Sequence, residues 1–281
     1  MAAQGSAIGG AYLKFPLGAR VAALGEAVVA DPSSLSSGGL NPANFLSNSS
    51  GSLLVVHNQW IQEISQQALV ASLPLSLGTF AFSATRTGVA DIPVRSIPGP
   101  AVGSFTSQAA TFAASFATAV TNEITIGGTG KYIYEKIFVD EATGYAADLG
   151  VLYRTPIDGL TAGASVTNLG SLSPFRSAHV DLPRRFTVGA SYRYAAFDLD
   201  HIGYASILTD KSGKGSSLFL GVQSSYEQTF AARVGYQTGI EARGLTLGLG
   251  AMYSVGRFDY AFVPFSAGLG SSHIISLEFV F

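Results

Sequence analysis

From about residue 53 onward, apolar and polar positions take turns in runs of about ten residues, each run ending in a turn. Leu245, Leu247, Leu249, Ala251 and Tyr253 fall on one face, against Thr246, Gly248 and Gly250 on the other. Phe230, Ala232, Val234 and Tyr236 oppose Ala231, Arg233 and Gly235; Tyr145, Ala147, Leu149, Val151 and Tyr153 oppose Asp148, Gly150 and Arg154. Phe186, Val188, Ala190 and Tyr192 oppose Thr187, Gly189, Ser191 and Arg193. A period of two is the signature of a strand with one apolar and one polar face. The pattern predicts strands near 53–61, 66–75, 78–87, 106–121, 123–136, 144–155, 159–168, 184–195, 197–208, 216–226, 229–237, 244–254, 257–264 and 272–281. That makes about fourteen, an even number, as a closed up-and-down bacterial barrel requires.

The final run places Ile275, Leu277, Phe279 and Phe281 on one face, with Ser276 and Glu278 opposite. An alternating closing strand with an aromatic terminus is the form in which outer-membrane barrels end, so Leu277, Phe279 and Phe281 are the expected insertion signal. Composition narrows the choice further. Only 12% of residues are charged, against about 25% in soluble domains, yet the longest charge-free runs (32–62 and 96–122) are rich in Ser, Gly, Asn and Thr and contain proline. A spanning helix needs roughly 20 mostly apolar residues. Lipid tolerates only helices and closed barrels, because the backbone must satisfy its own polar groups there. The expected fold is therefore all-β: a closed antiparallel transmembrane β-barrel in the bacterial outer membrane, in contact with its lipid. Tyr145, Tyr153, Tyr192, Tyr194, Tyr226, Tyr236 and Tyr253 gather near strand ends, where aromatic girdles form.

The lumenal set is mainly Gly, Ser, Thr and Ala, which leaves room for a filler. Residues 1–50 do not alternate and are expected to fold inside residues 51–281 as a plug or hatch. Asp31 with Pro32 suits the start of a short helical turn, ended by Gly38 and Gly39. Arg20, Asp31, Asn41 and Pro42 are the gating candidates. A buried arginine needs anionic or carbonyl partners, and Asp148 or Glu278 are the expected ones. Arg154 and Arg233 complete the lumenal set. Arg20 then reads either as a clamp between segment and wall or as a latch that moves. Trp60, closing the first strand, is expected to anchor at the membrane interface. Two long loops, 88–105 with Pro93, Pro98 and Pro100, and 169–183 with Pro174 and Pro183, fall on the extracellular side by parity, as does the turn at 140–144. Met1-Ala2-Ala3-Gln4 looks like the trailing edge of a cleaved leader.

Tyr12-Leu13-Lys14, the run Gly18-Ala19-Arg20 through Ala27, Asp31 and Asn41-Pro42-Ala43 together resemble the opening of the PorV/PorQ family. The stretches Leu160–Gly170, Phe258–Pro264 and His273–Leu277 are similar too. The resemblance implies a branch of the fourteen-stranded barrels typified by the fatty-acid transporter FadL. It implies one of two roles: a component of type IX protein secretion or surface attachment with protein partners at the extracellular or periplasmic face, or a FadL-like transporter that passes a hydrophobic ligand through a lateral opening. A purely structural barrel is a third reading.

The chain offers no catalytic set, so a non-enzymatic protein is expected, without cofactor. His57, His179, His201 and His273 are scattered and cysteine is absent, which leaves no transition-metal spacing. Neither a Gly-x-Ser-x-Gly elbow nor a P-loop occurs. Gly127-Gly128-Thr129-Gly130 reads as a strand kink. Asp198 with Asp200, and Asp140 with Glu141, read as solvated carboxylates before cation sites. A net charge of −2 provides no basic patch for nucleic acid.

Overall fold

The computed structural model describes residues 10–47, 50–94, 101–175, 178–210, 215–240 and 242–281. Met1–Gln4, Pro98 and Pro100 lie outside them. A short helix, α1 (Ala19–Ala23), and three 3-10 turns (Ala11–Lys14, Leu35–Gly39 and Pro42–Ser47) precede the strands. These are β1 (Ser52–Gln59), β2 (Ser65–Leu75), β3 (Gly78–Val94), β4 (Gly103–Ala119), β5 (Ile124–Ile137), β6 (Asp140–Arg154), β7 (Leu160–Phe175), β8 (Ala178–Asp181), β9 (Arg185–Ala196), β10 (Leu199–Asp210), β11 (Ser216–Tyr226), β12 (Phe230–Gln237), β13 (Leu245–Tyr253), β14 (Gly256–Pro264) and β15 (Ser271–Val280).

Every strand pairs antiparallel with its sequence neighbour, with two exceptions. The short β8 pairs only with the far end of β7, so β7 pairs onward with β9, and β1 pairs with β15. Removing β8 from fifteen leaves fourteen strands in a closed antiparallel barrel. Closure removes the edges that lipid could not satisfy.

The alternation maps onto the two faces of the wall. Leu245, Leu247 and Leu249 point outward and are exposed while Thr246 is buried. In β15, Ile275, Leu277 and Phe279 are exposed and Ser276 and Glu278 buried. Phe281 is exposed, its backbone N–H donating to the Gly51 carbonyl at 2.9 Å. The outward aliphatic belt is the surface that meets outer-membrane lipid. Turns at one end are short. Phe197 and Asp198, both at positive φ, form the two-residue link between β9 and β10, which matches the twist of the paired strands. Asp198 is therefore a turn residue, and Asp198 and Asp200 do not share a strand face. The longer connections, β3–β4, β7–β9 and β12–β13, lie at the opposite end.

Two expected loops are largely strand. β3 runs to Val94 through Pro93, and β4 starts at Gly103, with the ladder shifting between Val89 and Ile92. β7 continues to Phe175 through Pro174, and Asp140–Gly144 opens β6 rather than forming a turn. A membrane crossing takes about 9–11 residues. β3 through β7 are 14 to 17 residues long, so this side of the wall rises beyond the bilayer. Backbone pairing persists there without an apolar face, which is why alternation did not mark it.

If the outward face is solvated by lipid, Leu247→Arg costs about 2–4 kcal/mol near the midplane, read from urea titrations in lipid vesicles. Thr246→Ser, on the inward face, stays within about 0.5 kcal/mol.

Candidate functional site

Residues 10–47 follow the inner wall. Their polar groups meet inward groups on eight strands, from Val151 on β6 and Ser191 on β9 round to Ser276 on β15. Small wall residues let the backbones touch. A Cβ on Gly127 would lie 2.4 Å from the Ala43 nitrogen, and one on Gly150 would lie 1.8 Å from Asn41 Oδ1. Of the Gly127–Gly130 stretch in β5, Gly127 is the docking contact, while nothing lies within 4 Å of a Cβ on Gly130. Asn41 donates from Nδ2 to the carbonyls of Val29 at 2.8 Å and Val151 at 3.1 Å, and its Oδ1 accepts from the Ala43 amide at 3.1 Å. That last contact caps the turn that Pro42 begins. The turn Leu35–Gly39 is capped by Ser34, not Asp31.

Asp31 is otherwise engaged. Arg20, fully buried, pairs with Asp31, and neither Asp148 nor Glu278 is its partner. Arg20 also donates to Ser33 Oγ at 3.0 Å, Tyr204 Oη at 2.9 Å and Gln223 Oε1 at 3.1 Å. Gln223 Oε1 accepts a second bond, from Arg233 Nε at 2.7 Å, and Arg233 pairs with Asp259 at 2.7 Å. Asp259 faces Arg257 at 3.4 Å; Arg257 pairs with Glu278 and donates to Ser34 Oγ at 3.0 Å. The circuit leaves the segment at Arg20, crosses β11, β12, β14 and β15, and returns at Ser34. Its three arginines face three carboxylates, so charge is balanced where desolvation would otherwise be prohibitive.

Two further ties were not anticipated. Glu26 accepts from Arg243 at 2.7 Å and from Arg185 at 3.3 Å. Arg243 in turn lies 5.4 Å from the centre of the Trp60 ring. Trp60 is 7% exposed and packs against Phe15 and Phe265 at 4.8 and 5.2 Å between ring centres. It therefore closes the long-connection end of the lumen instead of anchoring in the interface. On the other side, Lys131 pairs with Asp148 at 2.6 Å, and Asn168 joins both: its Oδ1 accepts from Lys131 and its amide donates to Asp148. Asn168 sits at φ 61 where the β6–β7 ladder shifts between Ala147 and Leu149. Arg154 has inward parity but lies exposed at the short-turn edge, away from the buried circuit. No group of three or more metal-ligating side chains occurs among the described residues.

Burial raises the Asp31 and Glu26 carboxyls, but the charges of Arg20, and of Arg243 with Arg185, outweigh it and hold both below the ordinary range.

Between segment and wall lies a cavity of about 80 Å³. Leu13, Phe15, Leu17 and Phe45 form its apolar side; Ser83, Thr85, Thr111, Ser115 and Thr129 form a hydroxyl-bearing side, bordered by Lys131 and Asp148. Across the segment, a polar hollow of about 200 Å³ lined by Arg20, Arg233, Arg257 and Asp200 reaches the short-turn end at Gln228 and Thr229.

No family model and no curated protein matches this sequence. Solved structures do match. CymD, a monoaromatic hydrocarbon channel, aligns over 94% of this chain and 97% of its own, at 13% identity and a TM-score of 0.59. The toluene transporter TodX of Pseudomonas putida aligns over 85% and 91%, at 9% identity and a TM-score of 0.58. The likeness is one of fold, and with the lipid-facing belt it places the chain among bacterial outer-membrane barrels. It also corrects the family reading. The barrels it matches are small-molecule channels, which overturns the PorV/PorQ assignment and, with it, type IX secretion and surface attachment. The motif residues behind that resemblance serve local docking here, Arg20 by pairing with Asp31 and Asn41 by capping.

Two outcomes follow from the buried circuit. Arg20→Ala strands the Asp31 carboxylate and costs about 3–5 kcal/mol; Arg20→Ala with Asp31→Ala recovers part of that loss in thermal unfolding. Because both carboxyls sit below their unfolded values, their stabilisation holds above about pH 4 and fades as pH falls through the folded values. Emission from Trp60, the single tryptophan, should stay constant from pH 8 to about 5 and shift red only below about 4.

Proposed function

We propose that this barrel passes small hydrophobic molecules across the outer membrane in the FadL-like manner, with the amino-terminal segment as the plug that the molecule must move past. The observation that carries the reading is the cavity between Leu13, Phe15, Leu17 and Phe45 of the segment and the wall of β3–β6. Cavities that combine an apolar lining with a few polar groups are the usual form of small-molecule sites. The overall likeness to a monoaromatic hydrocarbon channel and a toluene transporter supports the same class of cargo. The ladder shift beside Asp148, on the cavity's border, supports a sideways release between β6 and β7. Lys131, Asp148 and Asn168 hold that point closed. Passage of this kind needs no protein partner at either face.

The test is uptake. In cells lacking other hydrocarbon channels, the intact chain should raise uptake of dilute radiolabelled toluene several-fold over empty vector. Ala113→Phe, which pushes a ring into the cavity, should remove at least about nine-tenths of that gain while the barrel still shows folded mobility on unheated gels. Uptake equal with and without the wild-type barrel would refute the reading.

A further inference from the structure

The ion pairs of the lumen are satisfied, but one group of three hydroxyls and a carboxylate oxygen is not. Among the described residues, ten buried side-chain polar atoms have no hydrogen-bonding partner, and four of them are Tyr12 Oη, Thr87 Oγ1, Thr111 Oγ1 and Glu135 Oε2. These four are gathered in one place. Thr111 lines the cavity, as does Tyr12, which comes from the segment. The register sets Thr87 and Glu135 on either side of Ala109, one inward row beyond Thr111. Thr87 and Thr111 are each 6% exposed. Native proteins rarely leave buried polar atoms unpaired, and a cluster of them beside a cavity marks a place where something else supplies the bond.

The neighbouring charges define what that is. Lys131, the cation on the cavity border, is already committed to Asp148 and Asn168. Glu135 and Asp148 face the same side of the wall, so a carboxylate head would meet like charge. Burial, and next the Glu135 carboxylate, push the Tyr12 hydroxyl well above its ordinary pKa, so it remains a donor. We propose that the cavity selects a small neutral molecule with an apolar body and one hydroxyl group, an alcohol or phenol, over a plain hydrocarbon or an acid. This rests on the reading of the cavity as the passage for small hydrophobic molecules and names its cargo more narrowly. The body lies against Leu13, Phe15 and Leu17, and the hydroxyl exchanges bonds with Thr111 and Tyr12. At about 80 Å³ the cavity is smaller than the roughly 150 Å³ that accepts benzene. A ring must therefore displace Phe15 from Trp60, which makes Trp60 a reporter.

Cyclohexanol and methylcyclohexane have the same shape and differ by hydroxyl against methyl; cyclohexanecarboxylate carries the charge of an acid. Each is titrated into the purified full chain in detergent, with empty micelles subtracted, following Trp60 emission and heat. Cyclohexanol should bind at least about tenfold tighter than methylcyclohexane, and Tyr12→Phe with Thr111→Val should bring the ratio near one, as expected when buried hydrogen-bonding groups reject an analogue that cannot pair with them. Equal or tighter binding of methylcyclohexane, equal or tighter binding of cyclohexanecarboxylate, or a ratio that survives both substitutions overturns the proposal. If the hydrocarbon still binds and is taken up, the passage reading stands without it. If no ligand binds and no uptake is seen, both fall.

Discussion

A barrel that turns its apolar side chains to lipid must put its polar ones inside, and inside they need partners. Arg20 is where this requirement is most severe. It is fully buried, carries a charge that cannot be given up, and is met by Asp31, Ser33, Tyr204 and Gln223. Because Gln223 also serves Arg233, and Arg257 returns to Ser34, the segment and half the wall share one circuit of charge. Within that circuit each part keeps its own ion pairs and the two exchange neutral bonds; the charge that would be stranded on parting them is Glu26, which the segment sets against Arg185 and Arg243.

The cavity follows from where that circuit stops. Charges crowd the side formed by β11–β15, pulling residues 19–35 against it. On the side formed by β3–β6 the segment instead presents Leu13, Phe15, Leu17 and Phe45 to a wall of Ser, Thr and Ala. Contact there is held mainly by shape, through Gly127 and Gly150 below and the Trp60 cluster above, with the Asn41 bond to the Val151 carbonyl beside them. In the proposed passage the polar side is the one held in place by charge, and the apolar side is the one that gives way.

Much of this was legible in the chain. Lipid enforces a period of two, so the fourteen ring strands and their faces could be read from residues such as Leu245–Tyr253. Parity could have gone further. Leu54, Val56 and Asn58 point inward in β1, and Trp60 continues their phase, so its burial was available from the same rule that suggested an interface. Arg257 and Asp259 share the inward phase of β14 in the same way. Other features had no local signal. Arg20 was expected to reach Asp148 or Glu278 on the wall, but a partner eleven residues along its own segment forms with less loss of chain entropy. The rise of β3 and β4 beyond the bilayer was hidden because pairing in water needs no apolar face. The PorV/PorQ resemblance misled because Gly-Ala-Arg and Asn-Pro-Ala encode how a segment docks in a barrel, not what the barrel carries.

The most direct test of the account is the conductance of the reconstituted barrel in planar bilayers, intact and with residues 10–45 deleted. A lumen occupied by this segment predicts few and small steps for the intact chain and large, long-lived ion-conducting steps after deletion. Identical conductance from the two proteins would contradict it.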